Sequence, residues 1–327
     1  FSPPPGRHFS SRMRLRAVVC ALTLAVLASG AAAAGLFTAR TSPSPFAAGP
    51  LRAPRRVGLQ AQPVKLSAAA AVLPEHSQRG PRGLESIRFS SKLNAFGLSF
   101  ALNCIFWGAL FLLPMYVASL LDKTRATVSS IGNAWGRLVL RACRINATCI
   151  DADKLPPKGT PAMYVANHCS YLDIPLTGLL RRPLKYISKS EVKKLPIIGL
   201  KLDLAKDLCV TRGDRRSEAR VFVDAVRALK DGLSILAFPE GTTTTTGRLL
   251  PFKRGPFKMA VSAGVPIVPL TIMGTYDAWP KGSIGPQRNV PLSIQVHDPI
   301  SVEGKTEEEL CELARAAVES GLTPSSG

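Results

Sequence analysis

His168 stands five residues before Asp173 in Val165-Ala-Asn-His-Cys-Ser-Tyr-Leu-Asp173, just past the apolar run at 162–166. That run reads as a buried strand, and a strand that empties into a polar turn is where α/β folds place chemistry. An imidazole can take a proton near neutral pH. A carboxylate folded back across one turn can hold one ring nitrogen and leave the other for a substrate. The same spacing also suits an ordinary helix start, with Asp173 bonding backbone amides. Cys169 has no second base beside it and reads as a small packing residue rather than a nucleophile.

Two further strand exits carry polar groups. Residues 234–238 form an apolar strand halted by Pro239, with Glu240 and Gly241 at its end. Proline stops a ladder and glycine permits a tight turn, so the pair aims a carboxylate. The brief strand at 209–211 leads into Arg212-Gly-Asp-Arg-Arg216. Guanidinium groups suit bidentate phosphate binding. Lys253, Arg254 and Lys258 add charge nearby, with a solvated surface as the alternative reading. A base with an orienting acid, a hydroxyl-binding carboxylate and phosphate clamps are thereby on offer. Asp173 and Glu240 alone make a poor metal site, and no Cys/His spacing suggests zinc, so no metal or cofactor is expected.

The elements that must position these groups alternate. Strands are expected at 162–166, 183–188, 209–211, 234–238, 266–272 and 291–296. Helices are expected at 173–180, 190–199, from Asp214 or Ser217 to Lys230, at 256–263 and from Thr306 to Ser320. Val221, Phe222, Ala225, Val226 and Leu229 lie on one face of the third of these. Thr306-Glu-Glu-Glu309 reads as a capping box. The alternation predicts an α/β domain with a mixed, mostly buried sheet flanked by helices.

The N-terminal half reads differently. Residues 93–121 contain no charged residue, and twenty helical residues suffice to cross a hydrocarbon core. Pro114 predicts a kink, and the segment could cross once, form a hairpin or lie in one leaflet. Residues 127–144 follow with Val128, Ile131, Trp135, Leu138 and Val139 at helical spacing and arginines elsewhere. This helix reads as lying on an anionic membrane surface, or as packing onto the domain. Further upstream, Met13 is a plausible start. Arg14 and Arg16, the apolar run 17–28 and small residues 29–34 have the order of a secretory signal. Residues 35–62 have transit-peptide composition, and such a two-part leader resembles that of plastids bounded by extra membranes, with a simple secretory or mitochondrial leader as the alternative. The divisions expected are a leader at 1–62, a linker at 63–91, a membrane-associated helical segment at 92–146 and a catalytic domain at 147–327.

Net charge is +20, which raises nucleic acid as a partner. The first 74 residues hold nine Lys/Arg and no Asp/Glu, so nearly half of the charge belongs to the leader region. The remainder suits anionic lipid or a phosphorylated substrate, and no aromatic–basic interleaving supports nucleic acid. Seven scattered cysteines give no disulfide framework and point mildly to a reducing compartment.

Taken together, the blocks resemble a known family. Asn167-His168-Cys-Ser170-Tyr-Leu-Asp173 resembles the NHxSxxD block of glycerolipid acyltransferases. Phe238-Pro-Glu-Gly-Thr242 resembles their FPEGT block, and Val265-Pro-Ile-Val-Pro269 their late VPIVPV block. Lys185-Tyr-Ile-Ser-Lys-Ser190 through Pro196-Ile-Ile-Gly199 resembles the linking segment of 1-acylglycerol-3-phosphate acyltransferases. One HxxxxD alone is weak, but four blocks in order are specific. The resemblance implies a plastid-type enzyme that moves an acyl chain from acyl-CoA or acyl carrier protein to the sn-2 hydroxyl of lysophosphatidic acid. Another lysophospholipid, glycerol-3-phosphate, or a catalytically silent membrane-binding protein are the alternatives. Membrane lipid is an implied partner, the plastid the implied address and the endoplasmic reticulum membrane the alternative. By position, His168 is the expected general base and Asp173 its orienter. Arg212 is expected to hold the acceptor phosphate, Glu240, Gly241 and Thr242 the acceptor glycerol, and Asn167 and Ser170 to shape the turn. The sequence departs from the family at Cys209-Val-Thr-Arg212 and at Thr243–Thr246, where Arg-Ser often stands. The second departure bears on the acceptor head group.

Overall fold

The computed structural model describes residues 94–195 and 197–322. The leader and linker expected from the sequence, with residues 92, 93, 196 and 323–327, lie outside them. Among the described residues are seven strands: β1 Ala147–Ile150, β2 Met163–Ala166, β3 Leu184–Lys189, β4 Leu208–Val210, β5 Ser234–Ala237, β6 Ile267–Met273 and β7 Leu292–Val296. They form one sheet in the order β1-β7-β6-β2-β5-β3-β4. Every pairing is parallel except β6 with β7, so the sheet is mixed as expected. The central strands β2 and β5 are buried at each position, as parallel strands covered on both faces must be. β1 escaped the sequence reading because it is an edge strand of half-exposed residues with little apolar signal.

Eight α-helices accompany the sheet among the described residues: α1 Ala95–Leu121, α2 Ala126–Ala142, α3 Asp173–Thr177, α4 Ile198–Ala205, α5 Arg215–Lys230, α6 Gly255–Ala263, α7 Thr275–Ala278 and α8 Glu307–Leu322. Strand alternation decides which layer each supports. Tyr164 and Ala166 point to a cluster built with Phe100 of α1, Val139 and Leu140 of α2 and Leu176 of α3. Met163 and Val165 point the other way, to Val221, Ala225 and Leu229 of α5, Phe257 of α6 and Leu310 of α8. Asp214 caps α5 by accepting from the Arg216 N–H at 2.9 Å, and the Thr306–Glu309 capping box opens α8 as expected.

Three elements differ from expectation. The basic helix expected at 190–199 is a 3-10 turn over Ser190–Lys194, and α4 begins where that helix was expected to stop. Ile197 precedes α4 with φ +66, so the chain reverses there and restarts as a helix. Helix α2 packs onto the domain: Val128, Ser129, Asn133, Gly136, Val139 and Leu140 are its buried residues. The stripe is displaced from the one read off the large apolar residues, because the contact with α3 is made by small ones. A Cβ on Gly136 would come within 2.8 Å of the Pro175 carbonyl oxygen, and one on Gly178 within 2.6 Å of the Asn133 carbonyl oxygen.

Helix α1 is continuous through Pro114, and the Asn94 side chain caps it by accepting from the Gly97 N–H at 2.6 Å. It is apolar on both faces. Gly97, Phe100, Gly108, Leu112, Met115 and Ala118 are buried at three-, four- and eight-residue spacings. Leu98, Leu102, Ile105, Phe106, Leu110, Leu113, Val117, Leu120 and Leu121 are exposed on the other side. Its length and composition suffice to cross a membrane, and only 28% of its most apolar window is buried, so it is not an ordinary core helix.

Candidate active site

β2, β5, β3 and β4 are sheet neighbours and run parallel, so their C-terminal ends share one edge at intervals of about 4.8 Å. His168 follows β2, Glu240 follows β5, Lys189 ends β3 and Arg212 follows β4. The topology alone therefore gathers the polar exits read from the sequence. Asn167 fixes the first of them: its Nδ2 donates to the Ile272 carbonyl at 2.9 Å and its Oδ1 accepts from the Ile272 N–H at 2.7 Å. The end of β2 is thus locked to β6. The Ser170 hydroxyl donates to the Trp279 carbonyl at 2.8 Å and accepts from the Leu172 N–H. Both residues shape the turn, as expected.

His168 Nδ1 lies 2.7 Å from Asp173 Oδ2. The same oxygen accepts from the Cys169 and Ser170 N–H groups at 2.8 and 2.9 Å. Both readings of the motif therefore hold at once: Asp173 binds the turn's amides and also orients the ring. Its side chain is fully buried while that of His168 keeps 20% of its surface exposed, so the carboxylate is sealed beneath the ring and the ring stays accessible. The His168 ring stacks on Phe238, with centroids 4.1 Å apart and planes at 19°. Burial, then the neighbouring Asp173 carboxylate, raises the Cys169 thiol far above its ordinary range, which keeps it protonated and supports the packing role.

Glu240 has a structural duty that spacing did not announce. Its Oε1 accepts from the His168 N–H at 2.7 Å and its Oε2 from the Leu250 N–H at 3.0 Å. Both carboxylate oxygens hold backbone, and the residue is buried, so Glu240 braces the turn that carries His168. Burial raises its pKa, opposed by those two amide bonds. The other end of His168 is held as well: its carbonyl accepts from the Thr244 N–H at 3.0 Å. Thr244 is buried, and Tyr276 donates from its hydroxyl to the next carbonyl, that of Thr245. The threonine run that departs from the family pattern is thus the second clamp on His168. No spacing rule reveals this, because it depends on where a loop returns.

Arg212 and Lys253 meet over Gly241. A Cβ at Gly241, whose φ is +70, would lie 3.2 Å from Lys253 Nζ and 3.4 Å from an Arg212 terminal nitrogen. Glycine leaves this space to the cations and to whatever anion they bind. Thr242 is half-buried at the bend that follows. Burial, then Arg212, lowers the Lys189 pKa, as a cation gathered among cations must respond. Lys253 was read from the sequence only as added charge; its backbone N–H donates to the Pro239 carbonyl at 2.9 Å, which ties it to the same strand exit. Trp279, unmarked by any motif, joins α1 to the site. Its ring lies edge-on to Phe100 at 5.6 Å and to Tyr171 at 5.5 Å.

An oriented imidazole beside a paired cationic pocket can deprotonate a hydroxyl on a phosphorylated substrate. The comparisons agree with that chemistry. The Acyltransferase family model matches residues 146–273. A 1-acyl-sn-glycerol-3-phosphate acyltransferase of Chlamydomonas reinhardtii is 35% identical over 226 residues, covering 67% of this chain and 68% of its own. A chloroplastic one of Brassica napus is 38% identical over 163 residues, covering 50% of this chain and 47% of its own. The chain thus spans about half the length of that plant relative. The crystal structure of PlsC, the 1-acyl-sn-glycerophosphate acyltransferase of Thermotoga maritima, superposes with a TM-score of 0.59 at 26% identity, over 69% of this chain and 94% of that one. The chain belongs to the 1-acyl-sn-glycerol-3-phosphate acyltransferase family.

Proposed function

We propose that the protein transfers an acyl chain from a thioester donor to the sn-2 hydroxyl of 1-acylglycerol-3-phosphate, giving phosphatidic acid. The observation that carries this reading is the His168–Asp173 pair at 2.7 Å, beside the Arg212–Lys253 pocket over Gly241. Asp173 accepts from His168 Nδ1–H, which leaves Nε2 as the proton acceptor. The acceptor hydroxyl loses its proton to Nε2 as its oxygen attacks the thioester carbonyl. Collapse of the tetrahedral adduct breaks the carbon–sulfur bond, and the imidazolium returns the proton to the departing thiolate. No acyl-enzyme is needed, because the thioester is already activated. Arg212 and Lys253 hold the acceptor phosphate and so fix its hydroxyl near the base, a positioning effect that adds to the roughly 10²–10⁴-fold of general-base catalysis.

Helix α1 holds the domain on lipid through its exposed apolar face, which keeps acceptor and product in the bilayer while the head group enters the site. The leader composition and the chloroplastic naming of plant relatives support a plastid address. Retention of a fluorescent fusion of residues 13–62 in the secretory pathway would exclude it. Replacing His168 by Ala is expected to lower kcat by about 10²-fold or more with membrane binding intact. Replacing Arg212 by Ala is expected to raise the KM for lysophosphatidic acid well above any change for the donor. Full turnover by the first variant, or equal KM changes in the second, would overturn the assigned roles.

A further inference from the structure

Beyond Arg212 the cations continue away from the site. Arg215, Arg216 and Arg220 on α5 are exposed, as are Lys253 and Lys258. Lys258, on α6, places its ammonium 5.9 Å over the Phe222 ring of α5, which joins the two helices into one surface. Among the described residues none of these five, nor Arg212, forms an ion pair. Of the nearby acids, Asp214 and Glu218 are turned to backbone amides, and Asp224 lies one turn beyond Arg220. Asp214 accepts from the Arg216 N–H, and Glu218 from the Gly213 N–H at 3.3 Å. On the far side the patch is closed by the Arg254–Glu308 pair.

A patch this wide needs a partner larger than one phosphate. Arg215 to Arg220 extends about 8 Å along α5, and a neighbouring helix lies about 8–10 Å away. The bilayer is not well placed to cover it. α5 and α6 pack on the sheet face opposite α1, whose apolar side is exposed on the other layer. The surface starts at the rim of the site and leads into the soluble phase. What must arrive from that phase, on the acyl-transfer reading, is the thioester.

We propose that the α5–α6 surface of Arg215, Arg216, Arg220 and Lys258 docks an acidic acyl carrier protein, which presents its thioester to His168 across Arg212. The proposal rests on the acyl-transfer reading and adds the donor and its landing place. Opposed charge would steer the encounter and set orientation more than it would deepen affinity.

The test uses the full chain in detergent or vesicles and the triple variant R215E/R216E/R220E. Glutamates in the first turns of a helix favour its dipole, so α5 should fold. Binding is read by titration of a fluorescent acyl carrier protein, and turnover is measured separately with acyl-CoA. Carrier binding is expected to weaken at least tenfold in the variant, and in the unaltered protein to weaken as salt rises from 0.05 to about 0.5 M. The triple lysine variant should keep binding, while acyl-CoA turnover stays unchanged in all three proteins. Absence of carrier binding, or binding indifferent to the glutamates, overturns the proposal. A parallel loss with acyl-CoA assigns the patch to nucleotide phosphates, and a parallel loss of vesicle binding assigns it to membrane. Failure of the unaltered protein to use acyl-CoA or acyl carrier protein would sink the transferase reading instead, whatever the titration shows.

Discussion

Glu240 and Thr244 grip His168 by its two backbone ends, and Asp173 grips it by the ring. On the proposed reading, a base so held loses little entropy on reaching its reactive geometry. This separates two kinds of defect. Replacing Glu240 by Gln turns an NH₂ group toward a backbone N–H and is expected to lower kcat by about 10–100-fold with the acceptor KM nearly unchanged. The cost of an unpaired buried donor, about 1–3 kcal/mol, also predicts a lower Tm. A raised acceptor KM with normal kcat would mean that the carboxylate reaches the glycerol. The residue types at the strand exits were legible in the sequence, because Pro239, Gly241 and the HxxxxD spacing mark them. The duty of Glu240 was not, since spacing does not say toward which atoms a carboxylate turns.

At the scale of elements, the α2–α3 contact decides how firmly the catalytic turn is seated. Pro175, against which Gly136 packs, lies two residues past Asp173. In a solvent-facing helix Gly→Ala gains up to about 1 kcal/mol. Here the added methyl meets backbone at 2.8 Å, and Gly136→Ala is expected to cost about 1–3 kcal/mol instead, read as a fall in Tm with some loss of kcat. An unchanged or raised Tm would show that α2 can slide away without consequence. Strands β2, β5 and β6 were legible as apolar runs bounded by turn residues. The seat of α2 was not, because glycine, serine and asparagine make its contact and period arguments weigh only large apolar groups. α4 was hidden in the same way, behind Pro196 and Gly199, which read as endings.

For the whole molecule, α1 has two apolar faces with different duties. Its inward residues close the core beside Trp279, whereas Leu102, Phe106 and Leu110 face outward. The variant L102S/F106S/L110S is expected to leave vesicles in a flotation assay, since each buried side chain of this kind is worth about 1.5–3 kcal/mol. Its Tm in detergent should hold, because the inward stripe is untouched. Continued flotation would transfer the membrane contact to another surface. The length of α1 and its freedom from charge were plain from the sequence; its division into two faces was not, since both are equally apolar. The inward face carries a consequence for how the chain is made. Phe100 precedes in synthesis every strand of the cluster it joins, and Leu112 and Met115 precede the helix α4 against which they pack. The domain must condense around a long apolar helix, so shortening the protein to gain solubility would strip a wall from the fold and leave a chain prone to aggregate.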